Sequence, residues 1–325
     1  MDEAFKKTVF VTGATGFIGS SVVAQLHRAN FRVIALLRTI RKRAQIESYV
    51  DEFIEGDLKS EAELLNGIEQ ADVVLHLASG LHRPWDHRIH QLNIDGTQQI
   101  ATLCARSSRS PHLIIVSSLA ARGPTRETGV TAPISAYGKA KKAAEVAAIK
   151  AYRSEHISIV RPPMVFGPGD NATKPIFNAI KQGLIPISRD ASARFSMIDV
   201  RDLATGLLKL CQHRPLKATH PIYFAYKHQV RIEDVAALVA QQLGLPYRTL
   251  YCPNWMIWCV SVFSEYWARI TQGSATLNRD KYLEMTNGPW TCDPTQAASW
   301  LNWQPDSSLA TRLVEVFNSY DSDAS

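Results

Sequence analysis

The chain has 325 residues, a formal net charge of +6, and a composition that is 46% hydrophobic and 20% charged. This balance excludes a disordered or fibrous protein, and the length predicts one large α/β unit or two domains that share a cleft. Nucleic-acid binding needs many basic residues gathered on one face, and this sequence has only one dense basic run, "RTIRKR" at 38–43. We therefore do not expect the protein to bind nucleic acid.

The N-terminal segment "MDEAFKKTVFVTG" contains acidic residues and enters a predicted strand at once. It therefore has the pattern of neither a secretory signal nor a transit peptide. The five cysteines form no CxxC pair, and their odd number favours free thiols over a disulfide set. We expect a cytoplasmic protein.

Short β-branched runs in the first half predict strands. They are "TVFVTG" (8–13), "FRVIALL" (31–37), "FIEGD" (53–57), "DVVLHLAS" (72–79) and "HLIIVSS" (112–118). Because helical patterns such as "GSSVVAQLHRAN" separate these apolar runs, we expect a parallel sheet that is buried on both faces. Right-handed crossovers then give an α/β fold with a doubly wound parallel (Rossmann) sheet, whose ligand crevice lies at the carboxyl ends of the strands.

The first predicted turn, in "TGATGFIGSSVVAQL", places three glycines between strand and helix. In this setting Gly13 allows a tight turn, Gly16 lets the backbone approach a pyrophosphate, and Gly19 lets the helix lie close to the strand. The helix N-terminus then offers free N–H groups to the anion. The predicted cofactor-binding residues of this turn are Gly13, Thr15, Gly16, Phe17, Ile18 and Gly19.

The end of the second strand indicates which dinucleotide is bound. Proteins that prefer NAD place a carboxylate there, whereas this strand ends in Leu37 and Arg38, with more bases at 41–43. A guanidinium suits the additional phosphate of NADP, although an arginine can also cover the adenine ring. The sequence therefore favours NADP over NAD as the cofactor. Asp57 and Leu58, after the third strand, are predicted adenine contacts.

The stretch "SAYGKAK" at 135–141 places Tyr137 four residues before Lys141 on a predicted helix, so both side chains face one ligand. The ammonium, with the positive nicotinamide of the oxidised cofactor, is expected to lower the tyrosine pKa from about 10. Tyr137 is therefore predicted to be the general acid/base. Ser118 ends the fifth strand and is predicted to bond to the substrate oxygen whose proton Tyr137 handles. Hydride would pass between the nicotinamide and the carbon that bears this oxygen.

The alternation of predicted strands and helices becomes less regular after the Pro/Gly-rich "RPPMVFGPGD". Before it, "AYGKAKKAAEVAAIKAYRSE" predicts a long helix at 136–155 and "ISIVRP" predicts a strand. After it, "FSMIDVRDLATGLLKLCQ" predicts a strand and a helix that return to the sheet. We predict a dinucleotide-binding domain at 1–167 and 195–223, and a smaller, mostly helical substrate-binding lobe at 168–194 and 224–325.

Several segments occur in order between residues 8 and 225: "TGATGFIG", "GDL", "VVLHLAS", "NIDGT", "VSSLAA", "YGKAK", "RPPMVFGPGD" and "MIDVRDLA". In this order they resemble the extended short-chain dehydrogenase/reductase superfamily, which includes the NAD-dependent epimerases and dehydratases. The resemblance implies a catalytic Ser118, Tyr137 and Lys141. It implies that Lys141 also holds the nicotinamide ribose and that Asn93 has a supporting catalytic role. It further implies cofactor contacts from Leu77, Ala78, Ser79, Pro162 and Val165, together with Tyr137 and Lys141.

Two departures separate this chain from the sugar-nucleotide enzymes of that superfamily. Where those enzymes usually carry an asparagine, "RPPMVFGP" has Met164, whose thioether cannot donate to a phosphate. In "ARFSMIDV", Arg194 stands one position early and Ser196 replaces an acid. With "RPP" and "ALLR", these features resemble the branch of 3β-hydroxysteroid dehydrogenases and dihydroflavonol reductases, which act on a secondary alcohol or ketone of a bulky apolar molecule.

The run "WMIWCVSVF" at 255–263 is apolar but too short to span a bilayer. We predict a core helix or a wall of an apolar substrate pocket, with a dimer face or a shallow membrane contact as alternatives. The residues of this predicted apolar lobe are Trp255, Met256, Trp258, Phe263, Tyr266 and Trp267.

The sequence therefore predicts an NADP-dependent oxidoreductase that interconverts a secondary alcohol and a ketone on a small, largely apolar molecule. One alternative is a nucleotide-sugar epimerase or dehydratase, and another is a cofactor-holding scaffold, against which Tyr137 argues. No metal site is predicted, because His82, His87 and His90 lack an acid or cysteine at tetrahedral spacing. The resemblance also implies a homodimer formed through paired long helices.

Overall fold

A parallel sheet forms the centre of the molecule. The computed structural model describes residues 6–80, 87–126, 128–129, 131–170, 173–188, 194–213, 220–271, 273, 275 and 277–322. His82 and the side chain of His87 lie outside the described part. The six strands have the order β3-β2-β1-β4-β5-β6, and their pairings are all parallel. They are β1 (Thr8–Thr12), β2 (Arg32–Leu37), β3 (Glu52–Glu55), β4 (Val73–His76), β5 (His112–Val116) and β6 (Ile157–Val160).

Helices cover both faces of this sheet, which confirms the predicted doubly wound fold. They are α1 (Phe17–Arg28), α2 (Glu61–Gln70), α3 (His87–Arg106), α4 (Ala136–Ala151) and α6 (Val200–Gln212), with α5 described below. Alternate residues of β1 point to opposite faces, because side chains alternate along a strand. Val9 and Val11 lie in the same buried cluster as Val22 of α1. Phe10 lies in a second cluster with Ile68 of α2.

The chain after β6 builds two small parallel ribbons and several helices. β7 (Met164–Phe166) pairs with β9 (Met197–Asp199), and β8 (Leu184–Ser188) pairs with β10 (Arg248–Cys252). The helices are α5 (Lys174–Lys181), α7 (Ile232–Leu243), α8 (Asn254–Ile270), α9 (Arg279–Thr286), α10 (Thr295–Leu301) and α11 (Leu309–Ser322). The predicted return of a strand to the main sheet is therefore wrong for β9, which joins β7 instead. Ile222 forms the neighbouring parallel bridge to Val160 of β6.

The predicted long helix at 136–155 ends earlier, at Ala151. Tyr152 adopts an extended backbone, and its hydroxyl donates to the carbonyl of Pro111 at 2.8 Å. This buried bond holds the chain against the start of β5 and turns it into β6. The division into a dinucleotide-binding domain and a substrate lobe stays a prediction. One buried cluster contains residues of both predicted parts, such as Val9 of the central sheet and Leu313 of α11.

Helix α8 is not a core helix, and its described residues do not line the cavity described below, so the prediction of a core helix or pocket wall is wrong, while the alternatives of a dimer face and a membrane contact stay open. Trp255, Phe263 and Tyr266 expose 68%, 67% and 62% of their surface. The buried side of α8 instead carries Ser261 and Glu265. No helix among the described residues is long and apolar enough to cross a membrane.

Candidate active site

The turn between β1 and α1 has the geometry that close approach to an anion requires. Gly13 has φ +79°, a backbone conformation that favours glycine, and a Cβ there would lie 2.7 Å from the amide nitrogen of Ala78. A Cβ on Gly19 would meet the carbonyl oxygen of Gly13. Only glycine therefore fits the contacts of this turn with the chain after β4 and with the first turn of α1. Residues 15–18 form the rest of this turn and the start of α1, where Gly16 is the exposed N-cap residue.

A second observation fits a dinucleotide at this place. The Ser79 hydroxyl, just past β4 and next to Ala78, is buried and has no hydrogen-bond partner among the described residues. A buried hydroxyl without a partner is unfavourable, so a polar ligand group at this position would stabilise it. The first turn of α1 also contains no acidic residue that would repel a phosphate. The chain thus fits a dinucleotide along this edge.

The remaining predicted cofactor contacts lie where the strands end. Arg38 follows β2 directly and is exposed, Asp57 and Leu58 follow β3, and Pro162 follows β6. The predicted residues along this edge are Arg38, Asp57, Leu58, Leu77, Ala78, Ser79, Pro162 and Val165, of which Val165 lies in β7 rather than in the central sheet. Their common edge agrees with the rule for open parallel sheets. Their contacts with a cofactor stay a prediction.

The predicted catalytic pair of hydroxyl groups is assembled in the structure. Ser118 follows β5 and caps a short 3₁₀ turn, where its Oγ accepts from the N–H of Ala120 at 3.2 Å. Tyr137 lies in the first turn of α4, and the side chain of Ser118 is near enough to oppose the rise in the pKa of its phenol. Both residues line one cavity. The two groups can therefore bind one substrate oxygen together.

Gly138 is a site residue that the sequence analysis did not single out. A Cβ at this position would collide with the carbonyl oxygen of Ala120. The absence of a side chain lets the first turn of α4 pack directly on the turn that carries Ser118. The order of the residues in "YGKAK" is the signal that could have found it, because a glycine inside a helix usually has a packing reason.

Helix α9 also contributes to the site. Asp280 Oδ2 accepts from the N–H of Tyr137 at 3.1 Å, and Glu284 Oε1 accepts from the hydroxyl of Ser135, the N-cap of α4, at 2.9 Å. Negative charge is favourable at a helix N-terminus. The two contacts join residues that are 143 and 149 positions apart along the chain. No local sequence pattern predicts such a contact.

Lys141 lies in α4 one turn after Tyr137 and is buried. Its ammonium group donates to the carbonyl of Val116, at the end of β5, at 3.2 Å. Burial lowers the pKa of Lys141 to about 8, and the charge of Glu145 opposes this shift. The side chain therefore keeps its positive charge near neutral pH. Its predicted contact with a ribose is a proposal.

Glu145 itself belongs to a buried network that sequence analysis missed. Its carboxylate receives both Nε and Nη2 of Arg161, at 2.8 and 2.6 Å, and the hydroxyl of Ser117 at 2.6 Å. This paired arrangement is the strong form of an arginine–carboxylate contact. It fixes α4 against β5 and β6, which holds Lys141 and Tyr137 over the strand ends.

The pKa of Tyr137 is raised, not lowered, in the protein by itself. Burial is the main cause, the charge of Glu284 adds to it, and the side chain of Ser118 acts in the opposite direction. The predicted lowering requires the positive nicotinamide of a bound oxidised cofactor as well as Lys141, and it stays a prediction for that complex. In the protein alone, burial disfavours the phenolate of Tyr137.

Asn93, predicted as a supporting catalytic residue, is buried in α3 beside the site. Its Oδ1 accepts from the N–H of Gly80 at 2.7 Å, and its Nδ2 donates to the carbonyl of Gly80 at 3.2 Å. These two bonds hold the loop after β4 against α3. The structure brings Ser118, Tyr137 and Lys141 to one place. Asn93 bonds to the loop instead, and its catalytic role stays a prediction.

The cavity beside Ser118 and Tyr137 has a volume of about 480 Å³. Met164 and Ser196, which mark the departures from sugar-nucleotide enzymes, both line it. Among the described residues its lining includes no residue of α8, so the predicted tryptophan-rich pocket wall is wrong. The apolar lining comes instead from α5, β8 and neighbouring segments: Pro163, Pro175, Ile176, Ala179, Ile185, Ile187, Phe195, Ile232, Leu277, Met285 and Trp290.

The chain is similar along most of its length to curated enzymes. The chain is 28% identical to a ceramide reductase of Caulobacter vibrioides over 284 residues, which cover 87% of this chain and 85% of that protein. It is 23% identical to a UDP-glucose 4-epimerase of Vibrio cholerae over 95% of this chain and 94% of that protein.

The structure is similar to that of the UDP-glucose 4-epimerase of Thermotoga maritima with UDP-glucose, with a TM-score of 0.74 and 19% identity over 98% of this chain and 100% of that chain. That likeness shows the fold. The family model described as the NAD dependent epimerase/dehydratase family matches residues 9–223, about two thirds of the chain. The dinucleotide turn and the serine–tyrosine–lysine site both lie inside this matched region. The chain therefore belongs to the NAD-dependent epimerase/dehydratase family.

Proposed function

We propose that this protein is an NADP-dependent reductase that converts a ketone on a largely apolar molecule into a secondary alcohol. The observation that carries the proposal is the Ser118–Tyr137 hydroxyl pair in the wall of a mainly apolar cavity. Such a cavity suits a hydrophobic ligand with one polar group at a defined place. The similarity to a ceramide reductase supports an apolar substrate.

In the proposed reaction, Ser118 and Tyr137 bind the ketone oxygen at the strand ends. NADPH, when bound along the edge that contains Gly13 and Arg38, would supply hydride to the carbonyl carbon. The C=O π pair moves to the oxygen, and Tyr137 gives its proton to that oxygen. Lys141 stabilises the resulting phenolate by its charge. The raised pKa of Tyr137 supports this direction, because a protonated phenol is the form that reduction needs.

The proposal is tested by mixing the protein with NADPH or NADH and following the absorbance of the reduced nicotinamide. Long-chain lipid ketones, steroid ketones and UDP-glucose serve as substrates. We expect net consumption of NADPH with an apolar ketone. Epimerisation of UDP-glucose without net change of the cofactor would contradict the proposal and favour the activity of the epimerase relative.

Arg38 is proposed to select NADP. Because Arg38 stands exposed at the end of β2, Arg38→Asp removes the cation and adds a repulsive charge. We expect Kd for NADP to rise roughly tenfold to a hundredfold, while Kd for NAD changes little. Titration calorimetry measures both constants. Arg153→Asp, at the far end of α4, is the matched control and should change neither. Equal loss for both dinucleotides would show that Arg38 does not select.

Glu284 is expected to set the pH range of the reaction. Its negative charge raises the pKa of Tyr137, so Glu284→Gln should lower that pKa. In reduction the proton donor is lost as pH rises through the pKa of Tyr137, so the alkaline limb of the rate profile should move to lower pH. Glutamine keeps the oxygen that accepts from Ser135. The exposed Glu155→Gln is the control, and an unmoved limb in Glu284→Gln would refute the assignment.

A further inference from the structure

Helix α8 has its polar and apolar faces reversed with respect to an ordinary surface helix. Its buried positions are Ser261, Glu265 and Ala268. A surface helix normally turns its apolar stripe toward the core. The large side chains that α8 exposes are Trp255, Met256, Trp258, Val260, Phe263, Tyr266, Trp267 and Ile270. A continuous apolar face of this kind marks an interaction site.

Buried contacts hold this reversed orientation in place. The Glu265 carboxylate, 6% exposed, receives Arg269 on the same helix and Arg279 on α9. The N–H of Arg279 also donates to Glu265 at 3.2 Å. Turning the apolar face inward would separate the buried Glu265 carboxylate from Arg269 and Arg279. Because this separation is unfavourable, these ion pairs stabilise the observed orientation of α8.

The charges around this helix are arranged asymmetrically. In the range 245–285, each acid is turned inward: Glu265 is buried, Asp280 accepts from the N–H of Tyr137, and Glu284 lines the cavity. The bases of the same range are exposed: Arg248, Arg269, Arg279 and Lys281. Arg269 and Arg279 share the one carboxylate of Glu265, and Lys281 lies 3.7 Å from Glu284. Four bases thus stand against three acids, so this segment carries a net positive charge.

The same segment adjoins the cavity of the active site. α9 packs against α8, and Lys281, Glu284 and Met285 of α9 line the cavity, as does Leu277 in the connection between these helices. Leu250 and Tyr251 of β10, just before α8, are also exposed. The exposed face of α8 thus belongs to a helix that packs on α9, and α9 forms part of the wall of the cavity that Tyr137 lines.

We propose that α8 docks this protein on the surface of an anionic phospholipid bilayer. The helix has 17 residues, roughly 25 Å, and would lie in the interface plane. Tryptophan and tyrosine suit this depth, because one end of each ring system is apolar and the other bonds to water or headgroups. Exposed arginines and lysine attract anionic headgroups. Docking in this way would place the cavity beside the acyl chains.

A bilayer fits the charges of this face better than a second copy of the chain. Two copies paired through α8 would bring two segments of the same net positive charge together, and like charges disfavour such a contact. Anionic headgroups are instead complementary to this charge. This inference does not rest on the proposed reductase activity, because the exposed face and its charges are independent of the reaction.

The test measures co-sedimentation of the full chain with vesicles of phosphatidylcholine, with and without phosphatidylglycerol. We expect binding to vesicles that contain phosphatidylglycerol, and weaker binding to phosphatidylcholine alone. The double variant Trp255→Ser/Phe263→Ser should lower the partition coefficient roughly tenfold or more, because it removes two large apolar side chains from the docking face. Trp300→Ser, at an exposed tryptophan of α10, is the matched control and should bind like the unaltered chain.

Circular dichroism and NADP titration show whether each variant keeps its fold. No sedimentation of the unaltered chain with either vesicle would overturn the docking proposal, as would equal binding by the double variant. Light scattering distinguishes the other occupant: a dimer that the double variant splits, without vesicle binding, would assign α8 to self-association and refute the bilayer. Cofactor binding that persists through these outcomes would leave the proposed reductase function untouched.

Discussion

Tyr137→Phe is expected to lower the rate of ketone reduction by about two to four orders of magnitude, with Kd for NADP nearly unchanged. The phenylalanine ring keeps the shape of a side chain packed at the start of α4, but it has no proton to give. Single-turnover measurement of NADPH oxidation at saturating cofactor isolates this step. A loss of kcat without loss of cofactor binding is the expected signature.

Tyr152→Phe provides the matched control for this experiment. It is the other tyrosine close to α4, at the opposite end, where its hydroxyl bonds to the carbonyl of Pro111. Its loss removes a structural hydrogen bond of about 1 kcal/mol and no proton donor. Turnover should therefore stay close to that of the unaltered protein. Undiminished reduction by Tyr137→Phe would show that another group supplies the proton.

Glu145→Ala is expected to destabilise the protein by about 3–5 kcal/mol, because it leaves the guanidinium of Arg161 buried without its partner. Both side chains are less than a tenth exposed. Urea unfolding, followed by circular dichroism at neutral pH, gives the change in the free energy of unfolding. The loss should appear in the midpoint, with little change in the slope.

Two further variants separate a buried pair from a mere contact. Glu155→Ala removes a carboxylate that pairs with Arg153 on the surface, and it should leave the unfolding midpoint nearly unchanged. Glu145→Met combined with Arg161→Leu removes both charges together. We expect this double variant to be more stable than Glu145→Ala, because no buried charge is left alone. A double variant as unstable as Glu145→Ala would contradict that reason.

The strands of the central sheet could be predicted because their signal is local. The run "VIALL" at 33–37 is apolar throughout, as a strand buried on both faces requires, and β2 begins within one residue of its predicted start. The signal of the glycine turn is also local, because each glycine has a separate steric reason. Tyr137 and Ser118 are predicted from their spacing and from resemblance to a family, and the structure places both in the lining of one cavity.

The site contacts that the sequence did not predict join residues far apart along the chain. Nothing near Asp280 or Glu284 in the sequence shows that they reach α4, and the network of Glu145 with Arg161 has no motif of its own. The prediction of a buried α8 is wrong for a different reason. Apolar residues normally lie inside, but in α8 the buried position is taken by Glu265, which pairs with two arginines. A hydrophobic pattern alone does not show which face of a helix points outward.

The carboxylates of α9 couple the acidity of the phenol to the attachment of that helix. Glu284 disfavours ionisation of Tyr137 while α9 is attached to Ser135, and linkage is reciprocal. Ionisation of Tyr137 must therefore weaken the attachment of α9 by the same free energy. In the proposed reaction, the phenolate form of Tyr137 would therefore hold α9, and with it one wall of the cavity, less firmly than the phenol form does.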